Sequence, residues 1–393
     1  MSVSHYPADF GVFMAPFHKI GVSPTVLFER DLAVIELADR LGFQEAWLGE
    51  HHSGGHEPIG APELMLAAVA RTTRTIKLGT AVNSLPYHNP FLLAERLVML
   101  DHLTHGRAIM GFGPGQLVSD AYMLGIDPST QRDRMLEAAE VVMRLLRGET
   151  VTQKSDWFDL HEAKLQVRPY TVPELDVVVA AVTSPSGPVT AGRLGIGMIN
   201  LSASSPAAFK ALRTHWGIAE REAASHGRTV DRRNWRLSAI THIAETEEQA
   251  RADCRHGFEE IWNYLSHISP LPASDKPDVE GMIDDAIESG SVLIGTPDTA
   301  IELIRKLADQ TGGFGSFVMT LTDFTTFDRQ KRAVELFAEY VIPEFRGQLQ
   351  SVREHNAWVR DNEWKAETMS AIDAASQKYA RQTAAAQQAS QAR

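Results

Sequence analysis

The chain has 393 residues, 44% hydrophobic and 22% charged, a mixture that supplies a large core and excludes disorder throughout. A formal net charge of −12 with no local basic stripe argues against a nucleic-acid partner. The single cysteine, Cys254, rules out an internal disulfide and a thiolate metal cluster; with no basic apolar leader in MSVSHYPADF and no run of 18 apolar residues, a cytoplasmic protein that does not enter a membrane is expected.

Residues 10–15 (FGVFMA) form an apolar run closed by Pro16 and read as a first buried strand, with Phe17 and His18 in the loop behind it. From 27 to 41 apolar residues recur at helical spacing, and Gly42 stops the helix. Ala46, Trp47 and Leu48 make a second strand, which passes through Gly49 and ends in Glu50, His51 and His52 before a glycine-rich loop. Ligand sites of parallel α/β folds lie beyond the carboxyl ends of the strands, so this is the first candidate site. Adjacent histidines on an extended chain point to opposite sides, which also admits a reading in which one of them only caps or packs.

The pattern then repeats. Residues 62–72 are helical, 76–82 form a strand, and the PYHNP loop offers Tyr87, His88 and Asn89 to the same end of the fold. A helix over 92–103 leads to a strand over 107–112, which runs into Gly113, Pro114 and Gly115. A helix over 133–148, acidic early and basic late, precedes an alternating, turn-rich stretch that reads as a hairpin insertion at about 150–168. The strand 175–181 ends at Thr183, Ser184, Pro185, Ser186 and Gly187; hydroxyls and free N–H groups at the helix start there suit a phosphate. Further strands are expected at 196–201, 235–244, 291–294 and 314–321, with helices at 206–226, from 246, after Thr296-Pro297, and at 332–340. The proline-, aspartate- and serine-rich stretch 266–280 reads as a mobile loop.

Strands alternating with helices along the chain favour an α/β fold of the (β/α)8 TIM-barrel type, with insertions and a C-terminal helical extension, over an open doubly wound sheet. No GxGxxG follows the first strand, and GFGPG at 111–115 has a proline where a phosphate turn needs an N–H. The barrel is expected over 1–347, with a possible lid at about 266–290, and a frayed helical tail over 348–393.

Six stretches resemble, in this order, the bacterial luciferase-like flavin-dependent monooxygenases, and within them the limonene monooxygenase branch. They are FGVFMAPFH (10–18), LGFQEAWLGEHHSGG (41–55), KLGTAVNSLPYHNP (77–90), VMLDHLTHGRAIMGFGPGQLVSDAYMLG (98–125), TSPSGP (183–188) and VLIGTPDTA (292–300), and the similarity covers about residues 10–346. The resemblance implies a TIM barrel with flavin at its C-terminal mouth. It also implies FMN used as FMNH2 from a separate NAD(P)H:flavin reductase, O2 as cosubstrate, and one oxygen atom inserted into a hydrophobic small molecule, with a terpene such as limonene as the leading case. A homodimer or higher homo-oligomer is implied as well.

By the same resemblance His51 is the active-site acid/base, titrating in the useful range, and Glu50 and His52 orient it or face the substrate. Ala81 and Val82 match the position of a non-proline cis peptide under the flavin ring, where small residues suit a flat ring, and Asn83 offers an amide to the ring edge. Thr183, Ser184 and Ser186 match the phosphate end. Two departures stand out. Gly113 replaces the cysteine that luciferases place beside the flavin, and Pro114 replaces their phosphate-binding arginine, for which Gln116 and Arg193 are the candidate substitutes. The stretch 266–280 falls where the family keeps a lid, which would exclude water. The alternatives are an F420-dependent oxidoreductase on the same barrel, a non-catalytic flavin-binding protein, and a metal hydrolase using His51, His52 and His56. No metal is expected, because that spacing lacks the i, i+4 helical geometry of zinc sites.

Overall fold

Alternate residues along each strand go to two different cores, as a closed barrel requires. In a computed structural model, which describes residues 5–268, 274–362 and 364–391, strand β1 (Asp9–Phe17) sends Phe10, Val12 and Met14 outward to the helices. Its Phe13 and Ala15 join an inner cluster with Trp47, Ala81, Ile109, Val178, Ile199 and Val318. Seven more strands follow: β2 (Glu45–Leu48), β3 (Lys77–Thr80), β4 (Ala108–Gly113), β5 (Asp176–Ala181), β6 (Gly197–Asn200), β7 (Trp235–Ile243) and β8 (Ser316–Thr322). They pair in parallel in chain order, and β8 returns to β1, so the eight-stranded TIM barrel is closed.

Proline marks the helix starts on the outside. Pro24–Arg40, Pro62–Val69, Pro90–Thr104, Pro206–Ser225 and Pro297–Thr311 all carry it in the first turn, where its missing N–H costs nothing. Thr296 caps the last of these through a capping box. The insertion is a two-stranded antiparallel hairpin, Val151–Lys154 with Asp159–Ala163. At the amino end of the barrel Arg236 fills the interior. It pairs with Glu45 and Asp176, each at 2.9 Å, stacks over Trp47 at 5.4 Å, and leaves Glu45 to accept from Ser316 at 3.2 Å.

Three expectations need correction. The run 291–294 is not a barrel stave: Val292–Gly295 pairs only with Ile240–Ile243 of β7. Ile240 also pairs with Thr320 of β8, so the added strand lies on the other edge of β7, above the part that β6 covers at Trp235–Leu237. A nine-residue strand beside a four-residue one leaves an open upper edge, and 292–295 closes it. The stretch expected as a loop over 266–280 is shorter: Phe258–Ile268 runs into it and Val279–Glu288 leaves it, capped by Asp278, while 269–273 fall outside the described residues. Ile283 and Ala286 of the second helix are buried with Trp262 and Phe258, which the polar composition concealed. The helix expected at 332–340 begins earlier, at Phe327, and turns through a π segment, Phe337–Val341.

The chain divides into two compact units, Met1–Phe345 and Arg346–Arg393. The second consists of helices Gln350–Asp361 and Lys365–Gln391, with the Trp358 and Trp364 rings 5.1 Å apart. Among the described residues no helix is long and apolar enough to cross a membrane.

Candidate active site

At or near the C-terminal ends of five adjacent strands, β1 to β5, an alanine or a glycine stands on the inner side: Ala15, Gly49, Ala81, Gly113 and Ala180, with Phe17 following Ala15 on β1. Backbone therefore forms much of the floor at the C-terminal mouth. A Cβ on Gly49 would sit 3.4 Å from the Ala15 carbonyl oxygen and 3.5 Å from that of Ala81. The Ala81–Val82 peptide is cis, and Val82 lies against Gly113, where an added Cβ would be 3.0 Å from a valine methyl. Phe17 and Leu201 pack against this inner cluster and add apolar surface.

Beside the floor, the end of β2 delivers Glu50 into a buried polar network. Its carboxylate accepts from His52 Nε2 at 3.2 Å, from Asn83 Nδ2 at 3.2 Å and from His88 Nε2 at 2.9 Å. Burial pushes this carboxyl up, but the bonds from His52, His88 and Asn83 outweigh it and hold Glu50 at about 2. Arg96 has only donors, so its 3.1 Å contact makes His88 Nδ1 the acceptor and leaves His88 Nε2–H for Glu50. Arg96 in turn pairs with Glu63 at 2.8 Å, and Asn83 Nδ2 also reaches Glu63 at 3.3 Å. Both Asn83 donors thus face carboxylates, and its buried Oδ1 has no hydrogen-bond partner.

His51 points elsewhere. Its Nε2 lies 2.9 Å from Glu57 Oε2 and its Nδ1 3.4 Å from Asp120 Oδ2, in ion-pair range but off the hydrogen-bond line. Burial disfavours the cation, yet the two carboxylates outweigh it and raise His51 to about 9. The two flanking carboxylates therefore favour the doubly protonated ring. His52 is raised by its bond to Glu50, and its ring meets Tyr87 edge-on at 5.8 Å.

A second buried imidazole, passed over in the sequence as a loop residue, follows β1. His18 contacts Asp31 at 3.0 Å through Nε2 and Asp323 at 3.1 Å through Nδ1. Burial lowers it, but the two carboxylates raise it to about 9. Burial pushes the Asp31 carboxyl up as well, against the hydrogen bond and charge of His18, which lower it. His18 N–H donates to the His56 carbonyl at 2.9 Å and its carbonyl accepts from His56 Nδ1 at 2.8 Å, which pins the loop after β2.

The remaining candidates separate. Ser184 and Ser186 come together, hydroxyl to hydroxyl at 3.1 Å, at the start of helix Ser186–Leu194, with Thr183 exposed just before them. Arg193 is drawn away to Glu140 at 3.2 Å, between helices on the barrel's outside, and does not replace the phosphate arginine. Gln116 is exposed after β4, whereas Gln131 binds the Pro114 carbonyl at 2.7 Å and the Tyr87 hydroxyl at 2.9 Å. Asn89 caps helix Pro90–Thr104. His51, His52 and His56 each have different partners, and among the described residues no group of three or more His, Cys, Asp or Glu is placed to hold a metal ion. Glu57, Asp120 and Tyr264 were missed, since each stands outside the motif it completes.

The family model described as "Luciferase-like monooxygenase" matches residues 8–313. Limonene 1,2-monooxygenase of Rhodococcus erythropolis is 48% identical over 94% of this chain and 95% of its own length. Among solved structures, the monooxygenase RslO1 from Streptomyces bottropensis superposes with a TM-score of 0.76 at 25% identity, over 86% of this chain and 99% of that one. The oxygenating constituent of 3,6-diketocamphane monooxygenase from Pseudomonas putida, a type II Baeyer-Villiger monooxygenase in complex with FMN, gives 0.71 at 23% over 86% and 98%.

Proposed function

The chain belongs to the luciferase-like monooxygenase family, and from that premise we propose that it is an FMNH2-dependent, two-component monooxygenase acting on a hydrophobic small molecule, a terpene such as limonene. A separate NAD(P)H:flavin reductase delivers the reduced flavin. Bound reduced flavin supplies two electrons and two hydrogens to O2, so that one oxygen atom enters the substrate and the other leaves as water. The observation that carries this reading is one mouth with a floor nearly free of side chains across β1 to β5 and a histidine–carboxylate cluster at the end of β2. The identity to limonene 1,2-monooxygenase supports the terpene.

The residues fit an FMN. Ala15, Gly49, Ala81, Val82 and Gly113 would hold a flat ring, which larger side chains would obstruct, and Asn83 Oδ1 would accept from an N–H donor. Ser184, Ser186 and the N-terminus of a nine-residue helix would take the phosphate, with Thr183 beside them and Gln116 on the loop after the neighbouring β4. His51 enters as a cation and N–H donor that steadies negative charge developing on oxygen and returns a proton to it. Glu50 and His52 hold the loop that carries it. Phe17, Ala180 and Leu201 offer an apolar wall to the substrate and keep water out.

The test is turnover of a terpene panel with FMN, a flavin reductase, NADH and 18O2, read by mass spectrometry. One 18O per product molecule is expected. Tight binding of F420 with hydride exchange and no labelled product would replace this reading with the deazaflavin one.

A further inference from the structure

Glu57 lies beyond the motif that ends in His52, yet its carboxylate is only 2% exposed and its two oxygens are divided between two partners. Oε1 accepts from the Tyr264 hydroxyl at 2.8 Å, which fixes the carboxylate's orientation, and Oε2 lies 2.9 Å from His51 Nε2. Across the ring, Asp120 Oδ2 is 3.4 Å from Nδ1, and Asp120 is itself held by the Ser53 hydroxyl at 2.5 Å and the His52 backbone N–H at 3.1 Å. Each ring nitrogen thus has a carboxylate within ion-pair range but off the hydrogen-bond line, so the two negative charges favour the doubly protonated ring without claiming its N–H groups. We propose that Glu57 and Asp120 are positioning residues that clamp His51 from both sides by charge, so that it is held doubly protonated at the mouth with its proton ready to give.

This rests on the reading of His51 as the active-site donor. The other titratable groups near the ring do not undo the clamp. His52 opposes a neighbouring cation, but its Nε2 is turned to Glu50 at 3.2 Å, and the Tyr264 phenol is a neutral donor to Glu57. The clamp is assembled from separate parts of the chain: the loop after β2, helix Val118–Met123 after β4, and helix Phe258–Ile268 after β7. The proton on His51 therefore reports that these segments are docked.

The first readout needs no flavin. In protein labelled with 13C-histidine, the His51 ring signal, assigned by its loss in His51→Gln, is followed against pH by NMR. The midpoint in the unaltered protein is expected well above 7 and should fall by roughly one unit or more in Glu57→Gln and in Asp120→Asn. The basic limb of the kcat pH profile should move down with it. A midpoint below 7 in the unaltered protein overturns the clamp even if both variants fail to fold, and so does an unmoved midpoint in folded Glu57→Gln. If the midpoints behave as expected but no substrate is oxygenated, the clamp stands and the monooxygenase reading fails; labelled product with a low midpoint is the reverse.

Discussion

The floor of the mouth can be tested with one methyl group. Gly113 has no left-handed φ, so alanine fits its backbone, and the new Cβ would meet Val82 Cγ2 at 3.0 Å and Cγ1 at 3.4 Å. The valine must yield by a few tenths of an ångström, which costs up to about 1 kcal/mol. The lost glycine freedom of the unfolded chain offsets about 0.4–1 kcal/mol of it. Folding stability should thus change by less than about 1 kcal/mol. Binding should respond differently. A methyl stands about 1.5 Å above its Cα, and a flat ring lifted by even ~0.5–1 Å forfeits a quarter to a half of each dispersion contact. Over a ring of FMN size, that amounts to roughly 1.4–2.8 kcal/mol, a ten- to hundredfold loss of affinity. Gly79→Ala is the contrast: its Cβ would meet Trp47 at 2.4 Å, below the mouth, so stability should drop by about 1–3 kcal/mol. Anaerobic titration with FMNH2 and urea unfolding measure the two quantities. Unchanged flavin affinity in a folded Gly113→Ala would show that no ring rests on the end of β4.

Other outcomes follow from the same structure. Arg236→Met should lower stability by about 3–5 kcal/mol in urea, because it leaves the buried Glu45 without its cation and takes from Asp176 one of its two, Lys77 at 3.4 Å being the other. His18 is raised from 6.5 to about 9, so its contribution, on the order of 3 kcal/mol, is fully present below pH 6.5 and lost as pH rises through about 9. His18→Gln should flatten that part of the stability profile, and an unaltered slope between pH 6 and 10 would count against the ion pair. Ser184→Asp puts a negative charge where the phosphate is to bind; FMN affinity should fall at least about tenfold while riboflavin affinity holds. An equal loss for both flavins would move the phosphate elsewhere.

Local rules sufficed for much of this protein. Period-two and period-3.6 patterning, prolines at helix starts, and glycine or polar residues directly after apolar runs determined the strands, the helices and the end of the barrel that carries the chemistry. They placed Glu50, His51, Ala81, Gly113 and Ser184 at strand ends, because those are consequences of what precedes each residue in the chain. Which strands close the ring was a matter of strand length: β7 outruns β6, and 292–295 fills the gap instead of becoming a stave. The charge on His51 was likewise a tertiary decision. An imidazole's proton is governed by what stands within about 4 Å of it, and its two carboxylates come from residues 57 and 120, with the orienting phenol from residue 264. No spacing in the sequence relates those three positions; only folding brings them to one ring.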